Sequence, residues 1–423
     1  MSARVKHLIG IGGVGMSALA QACLDAGFTV TGADRMLGGG ARPRSPVLAA
    51  LARQGVRLYP DDGSGIDADT AEVVVSTAVE ETNPGLVRAR ERGVPVVHRA
   101  AALAALLAPR RLVAVVGTCG KSTVTAILGH LLEACGFDPV VVNGAQVVGW
   151  DAGGARVGSA RKGGGDYAVA EVDESDKSLV AFRPYAALVT NASADHYSKE
   201  EMDRVFDAFV EGVPGPVVDG RRERIVPSAA ARAIPLPGEH NAVNAECALR
   251  MAAALGADAA RLAAAIRTFP GVERRLQRVG TCGGATVYDD YAHNPEKLRA
   301  MLTTLQAAHP KGVAVVWRPH GYAPLRKMAA PLAEMFRGAL RPCDLLLVPP
   351  VYDAGGTTDR SLNSDALTAR LNGSPVRLVQ DLREAEAVLR TQAPAFGAVV
   401  VAGARDPGLP ALARRLAGKE EEE

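Results

Sequence analysis

Short runs of apolar residues alternate with longer amphipathic stretches along almost the whole chain. We predict buried strands at 6–10, 29–33, 71–76, 95–97, 112–116, 167–172, 186–190, 285–289, 312–317, 345–348 and 397–401. Stretches with helical spacing occupy 16–26, 122–134 and 242–269, whereas 213–237 is rich in Pro, Arg and Gly and should be irregular. Strands that alternate with helices are typical of parallel βαβ units, so the pattern predicts an α/β fold.

Breaks in this pattern near residues 109 and 270 divide the chain into three blocks. The 423 residues suffice for three domains of ordinary size, which we place at 1–109, 110–270 and 271–423. Apolar residues make up 48% of the chain and aromatic residues only 4%. This composition favours helices packed on parallel sheets over a β-sandwich.

The charge balance gives no general attraction to nucleic acid or to a membrane, because the formal net charge is only +2. The basic pairs at 221–222 and 414–415 are expected to be solvated. Six scattered cysteines without a C-x-x-C pair argue against a zinc site or a disulfide framework. We find no signal-peptide pattern and no apolar run of membrane-spanning length, so we expect a cytoplasmic protein without a membrane or nucleic-acid partner.

A glycine-rich turn, GIGGVG at 10–15, follows the first predicted strand and precedes the first predicted helix. Gly10, Gly12 and Gly15 fit the G-x-G-x-x-G pattern, in which the backbone approaches a diphosphate and a helix N-terminus supplies N–H donors. Asp34 ends the second predicted strand, where a carboxylate can accept a hydrogen bond from a ribose hydroxyl. The pattern predicts a diphosphate-bearing ligand and leaves open NAD, FAD or a nucleotide sugar.

A second loop, GTCGKS at 117–122, also joins a buried strand to a helix. It is only part of a Walker A motif, because Val115 occupies the place of the first glycine. Lys121 can still contact terminal phosphates and the Ser122 hydroxyl can bind Mg²⁺, whereas Cys119 fits a small loop residue better than a nucleophile. Two phosphate loops predict two phosphorylated ligands, one of them a nucleoside triphosphate, and argue against a simple dehydrogenase.

Acidic and histidine residues follow two strands of the second block, at the sheet edge where α/β proteins bind ligands. Glu171 begins the run EVDESD, and His196 ends NASADH. Carboxylates at this edge suit Mg²⁺, which prefers hard oxygen ligands and shares them with phosphates. The two runs therefore predict a magnesium site beside the second loop.

Three further groups of polar residues follow predicted strands or begin helices. Asn241, in GEHNAVNAE, lies at a predicted helix start, where an N-cap is the favoured interpretation and an adenine contact the alternative. Asp290 and His293 follow one strand of the third block, and His320 follows the next. Together with Arg318, these side chains could face a nucleotide across a cleft between domains.

Ten segments, in order along nearly the whole chain, resemble the Mur ligase family, and most closely its alanine-adding branch. They are HLIGIGGVGMSALA (7–20), 76–100, GTCGKSTVT (117–125), EVDESD (171–176), NASADH (191–196), GEHNAVNA (238–245), GVERRLQ (271–277), DDYAHNP (289–295), RPHGY (318–322) and VYDAGG (351–356). The family has its own phosphate loop, G-T-x-G-K-[ST]-[ST], which lacks the first Walker glycine. The second loop of this chain is similar to that variant.

The resemblance implies a Rossmann-like N-terminal domain for a UDP-sugar, a central P-loop-type ATPase domain with a mostly parallel sheet, and a Rossmann-like C-terminal domain that closes over the active site. It also implies the reaction: the carboxylate of UDP-N-acetylmuramate is joined to the amine of L-alanine through an acyl phosphate, giving ADP and phosphate. ATP and two Mg²⁺ ions are the cofactors so implied, and the partners are small-molecule substrates. The oligomeric state, monomer or dimer, is left open.

The same resemblance assigns roles to individual residues. For ATP they are Gly117, Thr118, Cys119, Gly120, Lys121, Ser122, Thr123, Asn241, Arg275 and Asp290. For the UDP-sugar they are Gly12, Gly13, Val14, Gly15, Asp34, Ser76, His98 and Arg99. For the acyl group and the amino acid they are Tyr291, His293 and His320. For metal they are Ser122, Glu171 and His196. The catalytic residues so implied are Lys121, Glu171, His196 and His293.

The chain departs from the family pattern at several positions. Asn294 replaces the second histidine of DDYAHHP, and Gly321 and Pro324 stand where the alanine-adding branch has two arginines. Val124 replaces a threonine, and the 197–237 segment is shorter than in the family. Three alternatives follow: a Mur-type ligase with another amino acid, peptide or acyl substrate; a nucleotide-binding protein without ligase activity; and a dehydrogenase that uses the first loop.

Overall fold

Three sheets, each flanked by helices, organise the chain. The computed structural model describes residues 5–38, 45–173, 178–191, 199–353 and 359–419. The chain divides into two compact units. The first unit comprises Met1–Pro235 and His240–Val272, and the second comprises Leu236–Glu239 and Glu273–Glu423.

The first sheet begins the chain and carries the first glycine loop. Its strands are β1 Val5–Ile9, β2 Thr29–Asp34, β3 Arg57–Pro60, β4 Thr70–Val75 and β5 Val96–His98. Its helices are α1 Val14–Asp25, α2 Pro46–Arg53, α3 Pro84–Glu91 and α4 Arg99–Leu107. All five strands are parallel, in the order β3-β2-β1-β4-β5. Because β1 pairs with β2 along its length, the turn after β1 lies beside the end of β2.

The second sheet carries the second glycine-containing loop, at 117–122. Its strands are β6 Arg111–Val116, β7 Val140–Val142, β8 Ala160–Arg161, β9 Tyr167–Glu171, β10 Ala186–Val189 and β11 Val217–Asp219. Its helices are α5 Lys121–Ala134, α6 Lys199–Glu211, α7 Glu239–Ala254 and α8 Ala259–Ala265. The order is β11-β10-β6-β9-β7-β8, with only β8 antiparallel to its neighbour. The central position of β6 places the loop after it between the ends of β9 and β10.

The third sheet forms the second unit. Its strands are β12 Gln277–Cys282, β13 Ala285–Asp290, β14 Val313–Trp317, β15 Leu345–Val348, β16 Val376–Leu378 and β17 Ala398–Ala402. Its helices are α9 Pro295–Ala308, α10 Tyr322–Ala339, α11 Ser364–Thr368, α12 Leu382–Gln392 and α13 Gly408–Leu416. The order is β12-β13-β17-β14-β15-β16, and only β12 is antiparallel. The ends of β13, β17 and β14 therefore lie side by side.

Helix α1 joins the first two sheets through one continuous apolar core. Its residues 16–23 are all buried, because the helix packs on the first sheet and also contacts β7 and β8 of the second. The shared core includes Leu19 from α1, Val157 from the turn before β8 and Ala168 from β9. Both phosphate loops thus belong to the same compact unit.

The α/β class and every strand predicted from the sequence are confirmed, with ends within a residue or so of those predicted. Two expectations are wrong. The 213–237 stretch contains a strand, β11, and a short 3₁₀ helix at Ala231–Ala233. Arg221 is not solvated: its side chain is 5% exposed and pairs with Asp203, Asp207 and Asp219. In the described ranges, no helix has both the length and the apolar character to cross a membrane.

Candidate active site

The first glycine loop is fastened to the end of β2. The amides of Gly10 and Ile11 both donate to Ala33 O, at 2.8 and 3.1 Å. Asp34 accepts from Gly12 N at 2.9 Å through Oδ2 and from Met36 N at 3.0 Å through Oδ1. The carboxylate expected to bond a ribose hydroxyl therefore also shapes the loop.

A cavity of about 480 Å³ opens beside this loop. The residues assigned to the UDP-sugar that line it are Gly13, Val14, Gly15, Asp34, Ser76 and Arg99. Its wall also includes Asn143, Gly144, Glu171 and Asp173 from the second sheet. A volume of this size suits a small-molecule ligand. One cavity thus extends from the glycine loop to the acidic end of β9.

Arg99 supplies positive charge at the glycine loop. A Cβ on Gly15 would lie 3.0 Å from Arg99 Nη1, so the absence of a side chain there makes room for the guanidinium. Arg99 forms no ion pair or hydrogen bond with any other residue in the described ranges. Its neighbour His98 caps α4, accepting from Ala100 N at 3.3 Å through Nδ1, and is not among the residues that line the cavity. An arginine over a glycine loop suits a diphosphate.

The second loop has the backbone geometry of a phosphate-binding turn. Gly117 and Gly120 have φ angles of +129° and +84°, which other residues adopt only with strain. Gly120 precedes α5, so the loop ends at a helix N-terminus. Ser122 and Thr123 lie in the first turn of that helix and are buried. Backbone amides here can point at an anion.

Asn191 and Thr190, which follow β10, hold this loop in place. Asn191 Oδ1 accepts from Thr118 Oγ1 at 2.7 Å and from Cys119 N at 2.9 Å, and its Nδ2 donates to Cys119 O at 3.0 Å. Thr190 Oγ1 donates to Cys119 O at 2.6 Å. Sequence reasoning gave neither residue a role, although Asn191 begins the NASADH segment. Cys119 acts through its backbone in these contacts.

Lys121 lies between the loop and the acidic residues after β9. Its Nζ donates to Gly117 O at 2.6 Å and lies 3.9 Å from Asp173 Oδ1. Glu171 accepts from Gly144 N at 2.7 Å. A Cβ on Gly144 would overlap the Glu171 carboxylate, so the glycine permits this close approach. The lysine is thus placed beside the cavity wall.

The donor set fits one magnesium ion. Ser122 offers a hydroxyl, and Glu171 and Asp173 offer carboxylates, which are the hard oxygen ligands that Mg²⁺ takes together with water and phosphate. No group of three His, Cys, Asp or Glu side chains with metal-ligand geometry occurs within the described ranges. His196, expected to hold a second ion, lies outside them.

Helix α7 contributes two asparagines to the same unit. The helix begins at Glu239, so Asn241 is its third residue, and the N-cap interpretation is wrong. Asn241 is buried. Asn244, one turn later, lies against the second loop: a Cβ on Gly120 would be 2.7 Å from Asn244 Oδ1. Sequence reasoning placed Asn244 at the helix start and gave it no role at the loop, although the i, i+3 spacing from Asn241 puts both on one helix face.

In the second unit, Asp290 ends β13 and supports the adjoining backbone. Its carboxylate accepts from Leu276 N and Ala292 N, both at 2.7 Å. Burial raises the pKa of Asp290, and these two amides oppose the rise. Arg275 lies over the ring of Tyr291, 5.6 Å from its centroid.

Three aromatic side chains follow the carboxyl ends of β13 and β14. The rings of Tyr291 and His293 meet edge to face at 5.5 Å, and those of His293 and His320 at 5.0 Å. His293 Nδ1 lies 2.9 Å from Tyr291 O, and it must donate because a carbonyl oxygen only accepts. Burial, with His293 and Arg405 nearby, lowers the pKa of His320 to about 4. His320 is therefore neutral at pH 7.

Two departures from the family pattern have local structural reasons. Asn294 caps α9, accepting from Lys297 N at 2.9 Å, with Pro295 as the first helical residue. Gly321 has a φ of +153°, which a larger residue adopts only with strain. Pro324 lies in the first turn of α10, where proline is tolerated.

Comparisons with known proteins match the chain in two regions and along its length. The sequence profile described as Mur ligase family, catalytic domain, matches residues 6–111. The profile described as Mur ligase, glutamate ligase domain, matches residues 274–405. The chain is 34% identical to a UDP-N-acetylmuramate–L-alanine ligase of Methylobacterium nodulans, over 90% of this chain and 89% of that protein. A protein of the same name from Brucella anthropi is 32% identical over 86% of each chain.

Solved structures show the same similarity. The UDP-N-acetylmuramate-alanine ligase MurC of Thermotoga maritima superposes with a TM-score of 0.79 at 25% identity, over 98% of each chain. A murein peptide ligase of Psychrobacter arcticus shares the fold, with a TM-score of 0.65 at 20% identity over 99% of this chain and 98% of that one.

Proposed function

Because the chain belongs to the Mur ligase family, we propose that it joins the carboxylate of UDP-N-acetylmuramate to the amine of L-alanine with cleavage of ATP to ADP and phosphate. The observation that carries the proposal is the single cavity lined by the glycine loop and by Glu171 and Asp173, with Lys121 Nζ 3.9 Å from Asp173. A UDP-sugar and the terminal phosphate of ATP can meet there. The name of the M. nodulans relative supports the choice of substrates.

The reaction divides into two substitutions. A carboxylate is a poor acylating agent, so one of its oxygens first attacks the γ-phosphorus of ATP and ADP leaves. The amine then attacks the acyl carbon, the tetrahedral intermediate expels phosphate, and the amine nitrogen loses a proton. The protein contributes mainly positioning and charge stabilisation, as is general for phosphoryl transfer.

We assign the second loop to the triphosphate of ATP. The Lys121 ammonium stabilises negative charge on the γ-phosphate as the bond to ADP breaks. The amides of Gly120 and of the first turn of α5 bind phosphate oxygens, since those of Thr118 and Cys119 donate to Asn191. Asn191 acts as a positioning residue, because it bonds the loop and not the substrate.

We assign the first loop to the UDP-sugar. Its glycines allow the diphosphate to approach the backbone, and Arg99 balances the phosphate charge. Asp34 keeps the loop in shape and retains acceptor capacity for a ribose hydroxyl, since each carboxylate oxygen has more than one lone-pair site. Ser76 lines the same cavity.

Mg²⁺ is assigned to Ser122 and Glu171, where it would neutralise phosphate charge and polarise the γ-phosphoryl group. A second ion at His196 stays a prediction. The roles given by resemblance to Asn241, Arg275 and Asp290 in ATP binding, and to Tyr291, His293 and His320 at the amino-acid site, also stay predictions.

We further propose that the chain has three domains, at 1–109, 110–270 and 271–423. We also propose that the protein is cytoplasmic. All six cysteines are free, which fits a reducing compartment.

Phosphate release by the purified protein tests the function. ATP, Mg²⁺ and UDP-N-acetylmuramate are supplied with one amino acid at a time, and with Lys121→Ala as the inactive control. We expect release that requires both the UDP-sugar and L-alanine. Release that requires another amino acid would keep the mechanism and change the acceptor. Release without the sugar would contradict the proposal.

A further inference from the structure

Arg405 lies at the same edge of the third sheet as His293 and His320. The register of the three central strands brings one residue of each into a row. That row consists of Asp290 in β13, Ala402 in β17 and Trp317 in β14. His293, His320 and Arg405 each lie three residues after a member of the row. The row continues beyond the strands, because Gly403 N donates to Asp290 O at 3.1 Å and Arg318 N donates to Ala402 O at 3.2 Å.

The backbone of Arg405 is in the left-handed region, with a φ of +66°. A residue with a Cβ adopts this conformation only with steric strain, so it is uncommon outside glycine, asparagine and aspartate. Such strain concentrates at functional sites. The other left-handed arginine, Arg274, has bonded partners: it donates to Gly403 O at 2.6 Å and pairs with Asp289 at 3.3 Å.

Arg405, by contrast, is exposed and forms no hydrogen bond or ion pair with any other described residue. The nearest acid in the sequence, Asp406, is already bound: it pairs with Arg318 at 2.6 Å and accepts from Gly408 N at 2.8 Å. Neighbouring His320 is neutral at pH 7, because its pKa is lowered to about 4. The guanidinium therefore presents a full positive charge beside the His293–His320 pair.

The chain lacks the two arginines that the alanine-adding branch carries at positions 321 and 324. The arginines nearest these positions in the sequence are bound elsewhere: Arg318 pairs with Asp406, and Arg326 pairs with Asp359 at 3.1 Å. Neither is available to an anionic substrate without breaking an existing pair. Arg405 can bind an anion without breaking an ion pair with any other described residue.

We propose that Arg405 binds the α-carboxylate of the incoming amino acid and thereby selects a free amino acid as the acceptor. The inference rests on the proposed ligase function. Arg405 takes the place of the two missing arginines, from the end of a different strand. The guanidinium fork matches the two oxygens of a carboxylate, and His293 and His320 form the adjacent wall.

The direct test compares L-alanine with L-alaninamide, which lacks only the carboxylate charge. The variant Arg405→Gly removes the guanidinium and relieves the left-handed strain, so its fold should be at least as stable as that of the wild type. In the wild type, kcat/KM should be higher for L-alanine than for L-alaninamide. In Arg405→Gly this preference should fall by about tenfold to a hundredfold, mainly through KM for L-alanine.

Arg326→Ala is the matched control, because it removes an arginine of the same unit that already has an acidic partner. It should keep the preference for L-alanine. The KM values for ATP and for the UDP-sugar should not change in Arg405→Gly. An equal loss of activity on both acceptors, or a change confined to ATP, would overturn the assignment and point to a structural or phosphate-binding role.

A binding measurement separates failure of this inference from failure of the proposed function. The imidazole NMR signals of His293 and His320 are followed as L-alanine or L-alaninamide is added, with UDP-N-acetylmuramate and a non-hydrolysable ATP analogue present. We expect shifts with L-alanine in the wild type and much weaker ones in Arg405→Gly, even if turnover is absent. Identical responses of the two proteins would overturn the role of Arg405 whether or not the wild type releases phosphate.

Discussion

Asn191 fixes the second phosphate loop through three side-chain hydrogen bonds to Thr118 and Cys119. The side chain faces the loop from the end of a neighbouring strand and takes up the Cys119 amide, so it fixes the direction in which the rest of the loop points. A loop that is already ordered loses less conformational entropy when ATP binds.

Asn191→Ala should therefore weaken ATP binding more than it weakens the fold. Each neutral hydrogen bond contributes about 1 kcal/mol, so we expect the KM for ATP to rise about tenfold or more. Steady-state kinetics with ATP varied provides the measurement. The KM for the UDP-sugar is the internal control and should stay constant, and a matching rise in both would indicate a general structural defect.

Gly120 and Gly136 flank helix α5 and offer a matched pair of substitutions. Their φ angles are +84° and +86°, so alanine meets the same backbone strain at either position. Only at Gly120 would the added Cβ also meet a neighbour, Asn244 Oδ1 at 2.7 Å, whereas nothing lies within 4 Å at Gly136.

Gly136→Ala should cost about 1–2 kcal/mol of unfolding free energy and leave ATP binding unchanged. Gly120→Ala should cost more and should also abolish detectable ATP binding. Urea unfolding and calorimetric titration of ATP measure the two effects. Equal ATP affinity in the two variants would show that the geometry of the loop does not control binding.

At the scale of secondary-structure elements, helix α1 is fixed to the turn before β8 by a buried amide network. Gln21 Oε1 accepts from Val157 N at 3.0 Å and from Gln54 Nε2 at 2.8 Å, while Gln21 Nε2 donates to Gln54 Oε1 at 2.9 Å. Arg156 adds an ion pair to Asp25 at 2.6 Å. The network holds the first sheet against the second sheet, and residues of both sheets line the cavity.

Gln21→Leu keeps the side-chain volume but leaves the buried Val157 amide without an acceptor. An unsatisfied buried donor costs about 1–3 kcal/mol, which urea unfolding should detect. Arg53→Ala, which removes an exposed bond to Gly154 O in the same region, is the control and should change stability by less than about 0.5 kcal/mol. If the two variants lost similar amounts of unfolding free energy, the buried hydrogen bonds of Gln21 would contribute no more to stability than an exposed one.

The success of sequence reasoning differs between central and edge strands. Strands β6 and β14 are nearly uninterrupted apolar runs, and both were predicted to within a residue. Strands β3, β8, β11, β12 and β16, each at a sheet edge, were missed, and so was the interior strand β7; all of them except β12 have four residues or fewer. Pairing with a distant neighbour creates such strands, and the local pattern does not contain that information.

The residues of the candidate site also differ in how well the sequence predicts them. Motif spacing predicted the positions of both glycine-rich loops, of Lys121 and of Glu171 at the ends of buried strands, because each stands at a fixed offset from an apolar run. It did not predict that Asn191 and Asn244 contact the second loop, because such contacts depend on which segment lies opposite each side chain. It also missed Arg405, which follows no motif and becomes notable only through its backbone angle and its neighbours.

At the scale of the whole molecule, each compact unit contains a histidine that is buried in its neutral form. His7, in β1, bonds Thr31 Oγ1 at 2.9 Å and is fully buried. Burial lowers the pKa of His7 to about 4, although Asp67 and Asp61 oppose the shift. His320 has a similarly lowered pKa in the second unit.

These shifts predict that stability falls as pH decreases from about 6.5 to about 4. In this window the imidazoles become protonated in the unfolded chain but stay neutral in the folded protein. The free energy of unfolding present above pH 6.5 therefore falls on acidification. For His7 the loss between pH 7 and pH 5 should be about 2 kcal/mol.

His7→Asn should flatten this dependence in the first unit only. Residue-resolved hydrogen exchange at the two pH values gives the stability of each unit separately. The second unit of the same variant is the control and should keep its wild-type pH response. An unchanged response in the first unit would show that His7 does not titrate as its burial predicts.

The central claim is that this chain activates a UDP-sugar carboxylate as an acyl phosphate within one cavity. The most direct measurement uses UDP-N-acetylmuramate labelled with oxygen-18 in its carboxylate, together with ATP, Mg²⁺ and L-alanine. With both carboxylate oxygens labelled, each released phosphate should carry one labelled oxygen, and the sugar product should gain the mass of alanine less one water that contains oxygen-18. Unlabelled phosphate, or phosphate released without the alanine adduct, would contradict the account.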